Sequence, residues 1–357
     1  MSRAHGASME ADDSFILALP KAELHVHLDG SLRPSTMFEL AAERGVRLPA
    51  STPEELRAHM VVQNATSLVE YLERFELTLS VMQDAEALER IAYELVLDHA
   101  AEQVRWVELR FCPQLNRRLG LTLDQVLDAA LRGMRRAEAK VNSGAGTIQS
   151  AIIVCGLRSH KADVTSETAE VAVAYGDRGV CGFDLAGAEA GHPVADHQDA
   201  VDRAHSAGLP VTLHAGEGFG PESIQQALDL GHARRIGHGT RLHEDQALLD
   251  RVGDDGIPLE VCLTSNVQTA VVSSLAEHPA HRYLRAGIPI ALGTDNRLMS
   301  GVTLADEYRN ARDALGMTKD ELTAIARTGF EHAFVGEPIR ATMLQAFERQ
   351  AAKLAHS

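Results

Sequence analysis

The sequence predicts an α/β chain folded as one (β/α)8 TIM barrel with a helical insertion after its first strand. Eight short apolar, β-branched runs alternate with helical patterns along the 357 residues, which is the order of a closed parallel barrel. No linker or low-complexity segment divides them. The rival, a doubly wound open sheet, usually carries a glycine-rich phosphate loop after its first strand. Here that strand is followed by DGSLRPSTM, without G-x-G-x-x-G.

Residues 1–14 lack the apolar core of a secretory signal and are expected to form a disordered tail, leaving 15–357 as a single domain. The first strand, AELHVHL, alternates apolar residues with His25, His27 and Asp29. A period of two puts both imidazoles and the carboxylate on one face. Residues 31–100 are a mostly helical insertion, long enough at a barrel rim to have a function. Within it, Leu68, Tyr71, Leu72 and Phe75 stand at i, i+3, i+4 and i+7. That stripe is either ordinary helix packing or an apolar lid over a ligand.

The later strands are VRWVELRF, IQSAIIVC, VCGFDLAG, PVTLHAG, RRIGHG, PLEVCLT and IPIALGTD. Helix boundaries punctuate them. Pro221 and Gly231 bracket one helix, Gly208 ends another, and Thr52 with Glu55 and Thr318 with Glu321 fit capping boxes.

Barrel chemistry sits at the C-terminal ends of the strands. Those ends give His25, His27 and Asp29, then Asp184 and Gly187, then His214 and Glu217, then His238, Ser265, and Asp295 with Asn296. Three imidazoles and one carboxylate suit Zn²⁺, with a position left for water. His238 and Glu217 are then acid–base groups close to the metal. Asp184, Glu260 and Ser265 are either orienting partners of this set or core polar residues.

The formal charge is −16, from 34 Lys and Arg against 50 Asp and Glu. So acidic a chain with no long basic run is not expected to bind nucleic acid. No apolar run reaches transmembrane length. The cysteines Cys112, Cys155, Cys181 and Cys262 form no C-x-x-C pair and are expected to be free thiols in a reducing cytoplasm. H-E-x-x-H, the cytidine-deaminase zinc signature, a Walker loop and a G-x-S-x-G elbow are all absent.

The motifs LPKAELHVHLDGSL, GFDLAGAE, HAGE, RIGHG and GTDN, in this order across about residues 19–310, resemble those of the adenosine deaminase family. The resemblance implies a zinc-containing barrel that hydrolyses the 6-amino group of adenosine or 2′-deoxyadenosine to give inosine or 2′-deoxyinosine and ammonia. It implies that His25, His27, His214 and Asp295 hold one zinc ion. Glu217 would protonate purine N1, His238 would lie beside the attacking water, and Asp295 would accept its proton. The backbone of Gly187 would contact N3 and Asp29 would hold the ribose 5′-hydroxyl. Leu68, Tyr71, Leu72 and Phe75 resemble the family's lid helix.

One position departs from the pattern. Many members carry a second aspartate where this chain has Asn296. Purine N7 is an acceptor, and an amide NH₂ donates without needing a proton first. The expected partner is therefore a small purine nucleoside. Adenine and a carboxylated 5′-extended nucleoside such as aminodeoxyfutalosine are the alternatives, the latter calling for an arginine: Arg117, Arg158 or Arg297. Two other classes are a different barrel metal hydrolase and a non-catalytic purine-binding protein. No membrane association is expected.

Overall fold

A computed structural model of the chain describes residues 11–62 and 74–355. Eight strands run parallel: β1 (Lys21–His27), β2 (Val104–Phe111), β3 (Gln149–Leu157), β4 (Val180–Ala186), β5 (Thr212–Ala215), β6 (Arg235–His238), β7 (Leu259–Val261) and β8 (Ile290–Leu292). They pair as two four-stranded sheets, β1 to β4 and β5 to β8. Single parallel bridges, Phe183 with Val211 and Val26 with Asp295, join the sheets on their two sides and close the cylinder. The predicted TIM barrel is thus what forms.

Helices cover the outside of the sheet, so the strands are buried on both faces and read as near-continuous apolar runs. Val26, Leu109 and Ile152 lie in register across β1, β2 and β3, all fully buried. The helix Leu123–Asn142 begins with a reciprocal capping box between Thr122 and Gln125 and buries Val126, Leu127, Ala130 and Met134. It meets the helix Ala85–Ala101 at Gly133, where a Cβ would lie 2.0 Å from the Glu89 carbonyl oxygen. Only glycine permits that approach.

The insertion contains the helices Pro34–Arg44, Pro53–Met60 and Phe75–Ser80 before Ala85–Ala101 returns the chain to β2. Leu68, Tyr71 and Leu72 lie outside the described residues; Phe75 lies within them. Residues 11–14, assigned above to a tail, belong to the fold. Asp12 caps the helix Asp13–Ala18, whose Phe15 and Ile16 are buried, and Asp13 pairs with Arg309 and Arg312. The apolar anchors lie just past the segment judged by its polarity.

Thr318 and Glu321 form the expected reciprocal box. Thr52 caps its helix, but the Glu55 carboxylate accepts from Ser51 N instead. The four cysteines are free thiols. No helix among the described residues is long and apolar enough to cross a membrane.

Candidate active site

The strand ends converge. β1 delivers His25 and His27, β5 delivers His214, and β6 ends on His238. Asp295 follows β8 and is the residue bridged to Val26, with its N–H donating to His25 O and its carbonyl accepting from His27 N. His238 and Asp295 have positive φ, 63° and 56°. Non-glycine residues rarely hold that conformation without a surrounding structure that imposes it.

The imidazoles are oriented from behind. His25 Nδ1 lies 3.0 Å from Glu260 Oε2, and His214 Nδ1 lies 2.9 Å from Asp184 Oδ2. Burial would raise both carboxyls, yet both are lowered: Glu260 by Arg110 and Arg235, Asp184 by His214 and Arg110. Two ionised acceptors therefore take the Nδ1 protons, and the Nε2 lone pairs turn inward.

Those inward atoms crowd together. His25 Nε2 and His27 Nε2 stand 3.1 and 3.2 Å from His214 Nε2. Asp295 Oδ1 is 3.5 Å from His25 Nε2 and 3.4 Å from His27 Nε2. Lone pairs facing one another repel unless a cation or a proton lies between them. Tetrahedral ligands at about 2.0–2.1 Å from zinc sit roughly 3.3 Å apart, so the spacing fits such an ion. His238 is a further neighbour: His25, His214, His238 and Asp295 also bring ligand-type atoms within 4.8 Å of one another.

Glu217 and His238, the expected acid–base groups, border this cluster. Glu217 Oε2 is 3.5 Å from His238 Nε2, and Thr269 Oγ1 donates to Glu217 Oε1 at 3.2 Å. Burial first, then the Asp295 and Glu189 carboxylates, push the Glu217 carboxyl well above its usual pKa. Glu189 also pins the turn that carries Glu217, accepting from Gly216 N, Glu217 N and Gly218 N at 2.8, 2.9 and 2.7 Å. Ser265 Oγ donates to Asp295 Oδ2 at 2.6 Å. The Asn266 amide meets His238 Nδ1 at 3.0 Å.

A cavity of about 390 Å³ opens over these groups and is lined also by Asp29, Phe75, Leu79, Gly187 and Asn296. The Phe75 and His27 ring centroids are 6.5 Å apart, so the insertion reaches the metal-side wall. Burial raises Asp29 to about 7, and its Oδ1 has no hydrogen-bond partner among the described residues. Asn296 packs so tightly on Gly30 that a Cβ there would lie 1.8 Å from Asn296 Oδ1. Neither Lys nor Arg lines the cavity among the described residues. A wider crevice, about 660 Å³, lies at the opposite end of the strands beside Trp106, Gln149 and Phe334. It contains none of these groups.

Several contributors were not singled out from sequence. Arg110 spans Asp184, at 3.1 Å, and Glu260, at 2.7 Å, while Arg235 spans Glu260 and Glu108, both at 2.5 Å. Their signal was present in β2, where Glu108 and Arg110 interrupt an apolar run at i and i+2. Glu189 closes the GFDLAGAE motif, whereas Asn266 and Thr269 had no comparable signal.

A sequence model of the family described as adenosine deaminase matches residues 20–349. The chain belongs to the adenosine deaminase family. Among its relatives, an adenosine deaminase of Mycobacterium sp. (strain JLS) is 42% identical over 329 residues, covering 88% of this chain and 90% of the relative. An adenine deaminase of Arthrobacter aurescens has a similar structure, with a TM-score of 0.86, 27% identity and coverage of 95% of this chain and 100% of that one. Arabidopsis ADAL complexed with IMP has a TM-score of 0.84 and 30% identity, covering 95% of this chain and 99% of its own.

Within this adenosine deaminase family member, the three arginines considered for a 5′ carboxylate are engaged elsewhere. Arg158 donates to His192 O and His214 O, Arg297 pairs with Glu102, and Arg117 faces Glu167. None lines the cavity.

Proposed function

We propose that the chain hydrolyses the 6-amino group of adenosine and 2′-deoxyadenosine, releasing the corresponding inosine and ammonia. The observation that carries this reading is one cavity holding both a cation-spaced nest of imidazoles with Asp295 and a buried carboxyl, Glu217, whose pKa burial and neighbouring carboxylates raise. Purine C6 is a weak electrophile, and a proton delivered to N1 activates it.

His25, His27, His214 and Asp295 would hold one zinc ion. His27 is preferred over His238 because its Nε2 is 3.2 Å from His214 Nε2 and 3.4 Å from Asp295 Oδ1. A bound zinc supplies an acidified water at neutral pH. Glu217 gives its proton to N1 as oxygen adds to C6. Asp295 takes one water proton and passes it to the departing amino group, so that ammonia leaves as the C6–N6 bond breaks. The remaining hydroxyl proton is released as the carbonyl forms, which restores the Glu217 acid. His238 faces the adding oxygen, Gly187 offers its backbone to N3, and the Asn296 amide serves N7.

The nucleoside is favoured over its relatives' ligands by the cavity wall. Asp29, with Oδ1 unpartnered, suits a 5′-hydroxyl, which adenine lacks. Neither Lys nor Arg lines the cavity among the described residues, and Glu76 on its wall is already paired with Arg118 at 2.9 Å, so a 5′-phosphate or carboxylate would find no basic side chain to receive it. Phe75, which lines the cavity beside His27, would pack against the bound nucleoside. Cytoplasmic purine salvage is the setting this chemistry suits.

The test is a turnover panel on zinc-loaded protein, followed by ultraviolet absorbance: adenosine, 2′-deoxyadenosine, adenine, AMP and aminodeoxyfutalosine. The first two should have the highest kcat/KM. A preference for any of the others refutes the substrate assignment, and zinc-loaded protein inert to all five refutes the reaction.

A further inference from the structure

We infer that Asn266, itself aligned by His278, locks His238 as the Nε2–H tautomer, making this imidazole a hydrogen-bond donor to the oxygen that adds at C6 rather than a base or a metal ligand. The identity of that oxygen rests on the deaminase reading above; the tautomer does not.

The chain of logic starts at a group with no choice. The main-chain N–H of Ala280 meets His278 Nδ1 at 3.1 Å. A backbone N–H only donates, so Nδ1 presents a lone pair. His278 is fully buried, and burial, helped by His281 and His243, brings its pKa down to about 3. The ring is neutral, and its one proton is on Nε2, which lies 3.1 Å from Asn266 Oδ1. Thr240 Oγ1 donates to the same oxygen at 2.7 Å.

These donors fix the amide. Turned over, the Asn266 NH₂ would face the His278 N–H, donor against donor. The NH₂ must therefore point the other way, to His238 Nδ1 at 3.0 Å. His238 Nδ1 is thus an acceptor, and the proton of a neutral ring sits on Nε2. That Nε2 is buried and has no hydrogen-bond partner among the described residues. It borders the cavity, beside Glu217.

The consequences separate the histidines. His25 and His214 have carboxylates behind them and turn lone pairs inward; His238 has an amide behind it and turns a proton inward. An Nε2 that already carries a proton neither ligates a cation nor accepts one from water. It donates to negative charge developing on oxygen, a role in which removing one preorganised donor costs on the order of 10²-fold in kcat. Asn266 is a positioning residue in this scheme. Its isosteric acid would reverse the pattern.

The experiment uses the zinc-loaded full chain labelled with ¹⁵N-histidine, with His238 assigned by the loss of its signals in His238→Asn. Nitrogen NMR should find the wild-type His238 proton on Nε2. In Asn266→Asp the lone ring proton should move to Nδ1, with zinc content unchanged, KM for adenosine little altered and kcat lower by about 10²-fold. A variant ring carrying both protons still donates from Nε2 and should keep kcat, which also upholds the scheme. A wild-type proton on Nδ1 overturns it without reference to turnover, and so does a variant with its only proton on Nδ1 and undiminished kcat. Wild-type protein inert toward adenosine would instead refute the deaminase reading and leave the tautomer result standing.

Discussion

Glu260→Gln changes one charge and almost no volume, yet it should damage both stability and metal retention. Glu260 is 1% exposed and uses both oxygens. Oε2 meets His25 Nδ1 at 3.0 Å and Arg110 at 2.7 Å; Oε1 meets Thr212 Oγ1 at 2.9 Å and Arg235 at 2.5 Å. A glutamine offers one oxygen and one NH₂. Either orientation leaves an arginine facing an amide N–H in a dry interior. Breaking a buried pair by removing one member costs about 3–5 kcal/mol, which for a chain of this size lowers Tm by about 4–7 °C.

If the NH₂ faces His25, the ring takes its proton on Nε2 and loses the lone pair a cation needs. Loss of such an orienting carboxylate weakens metal binding by about 10–100-fold. The pH dependence has a definite sign. The wild-type carboxyl is depressed, so its contribution is complete above the unfolded carboxylate pKa and disappears on acidification toward the folded value; the variant should lack this acid limb. Scanning calorimetry of metal-free protein and chelator competition with zinc measure the two effects separately. Unchanged Tm together with unchanged zinc affinity would refute the reasoning.

Glu217→Gln should retain zinc, by metal analysis, and lose about 10²–10⁴-fold in kcat. Because the wild-type carboxyl is raised and works as an acid, kcat should fall as pH rises through its pKa, and that alkaline limb should vanish in the variant. Asn296→Ala should lower kcat/KM for adenosine by roughly 3- to 10-fold while leaving 7-deazaadenosine, which lacks the N7 acceptor, unaffected; equal losses on both substrates would remove Asn296 from N7. Gly30→Ala should displace Asn296 and raise KM for adenosine with normal zinc content, since the added methyl would overlap the amide. A wild-type KM there would mean that the Asn296 position is immaterial to binding.

The parts of the site legible in sequence are those written within one strand end. His25 and His27 share a face because a strand alternates, and HAGE, GHG and GTDN each bring their groups within a few residues. Charged residues inside apolar strands marked Glu108, Arg110, Asp184 and Glu260 singly, but their pairing with one another and with Arg235 was not legible, because the ladder crosses β2, β4, β6 and β7. Its members meet only after the cylinder closes. Asn266 and His278 were hidden for a related reason: an amide in a helix and a histidine in a loop carry no period, and their meaning comes from the Ala280 N–H and the His238 ring. The boundary of the expected tail was missed because polarity marked residues 11–14 as coil, whereas the contacts holding them come from Phe15, Ile16 and distant arginines.

The two sides on which the barrel closes through one bridge each have a mechanical consequence. His25 and His27 belong to the half built from β1 to β4, whereas His214 and Asp295 belong to or follow the half built from β5 to β8. An ion held by all four would act as a rivet between hemicylinders that main-chain bonding stitches only thinly. Chelation should then be felt first as faster amide exchange at His27 and Asp295, the residues of that thin join, before the outer helices loosen at all.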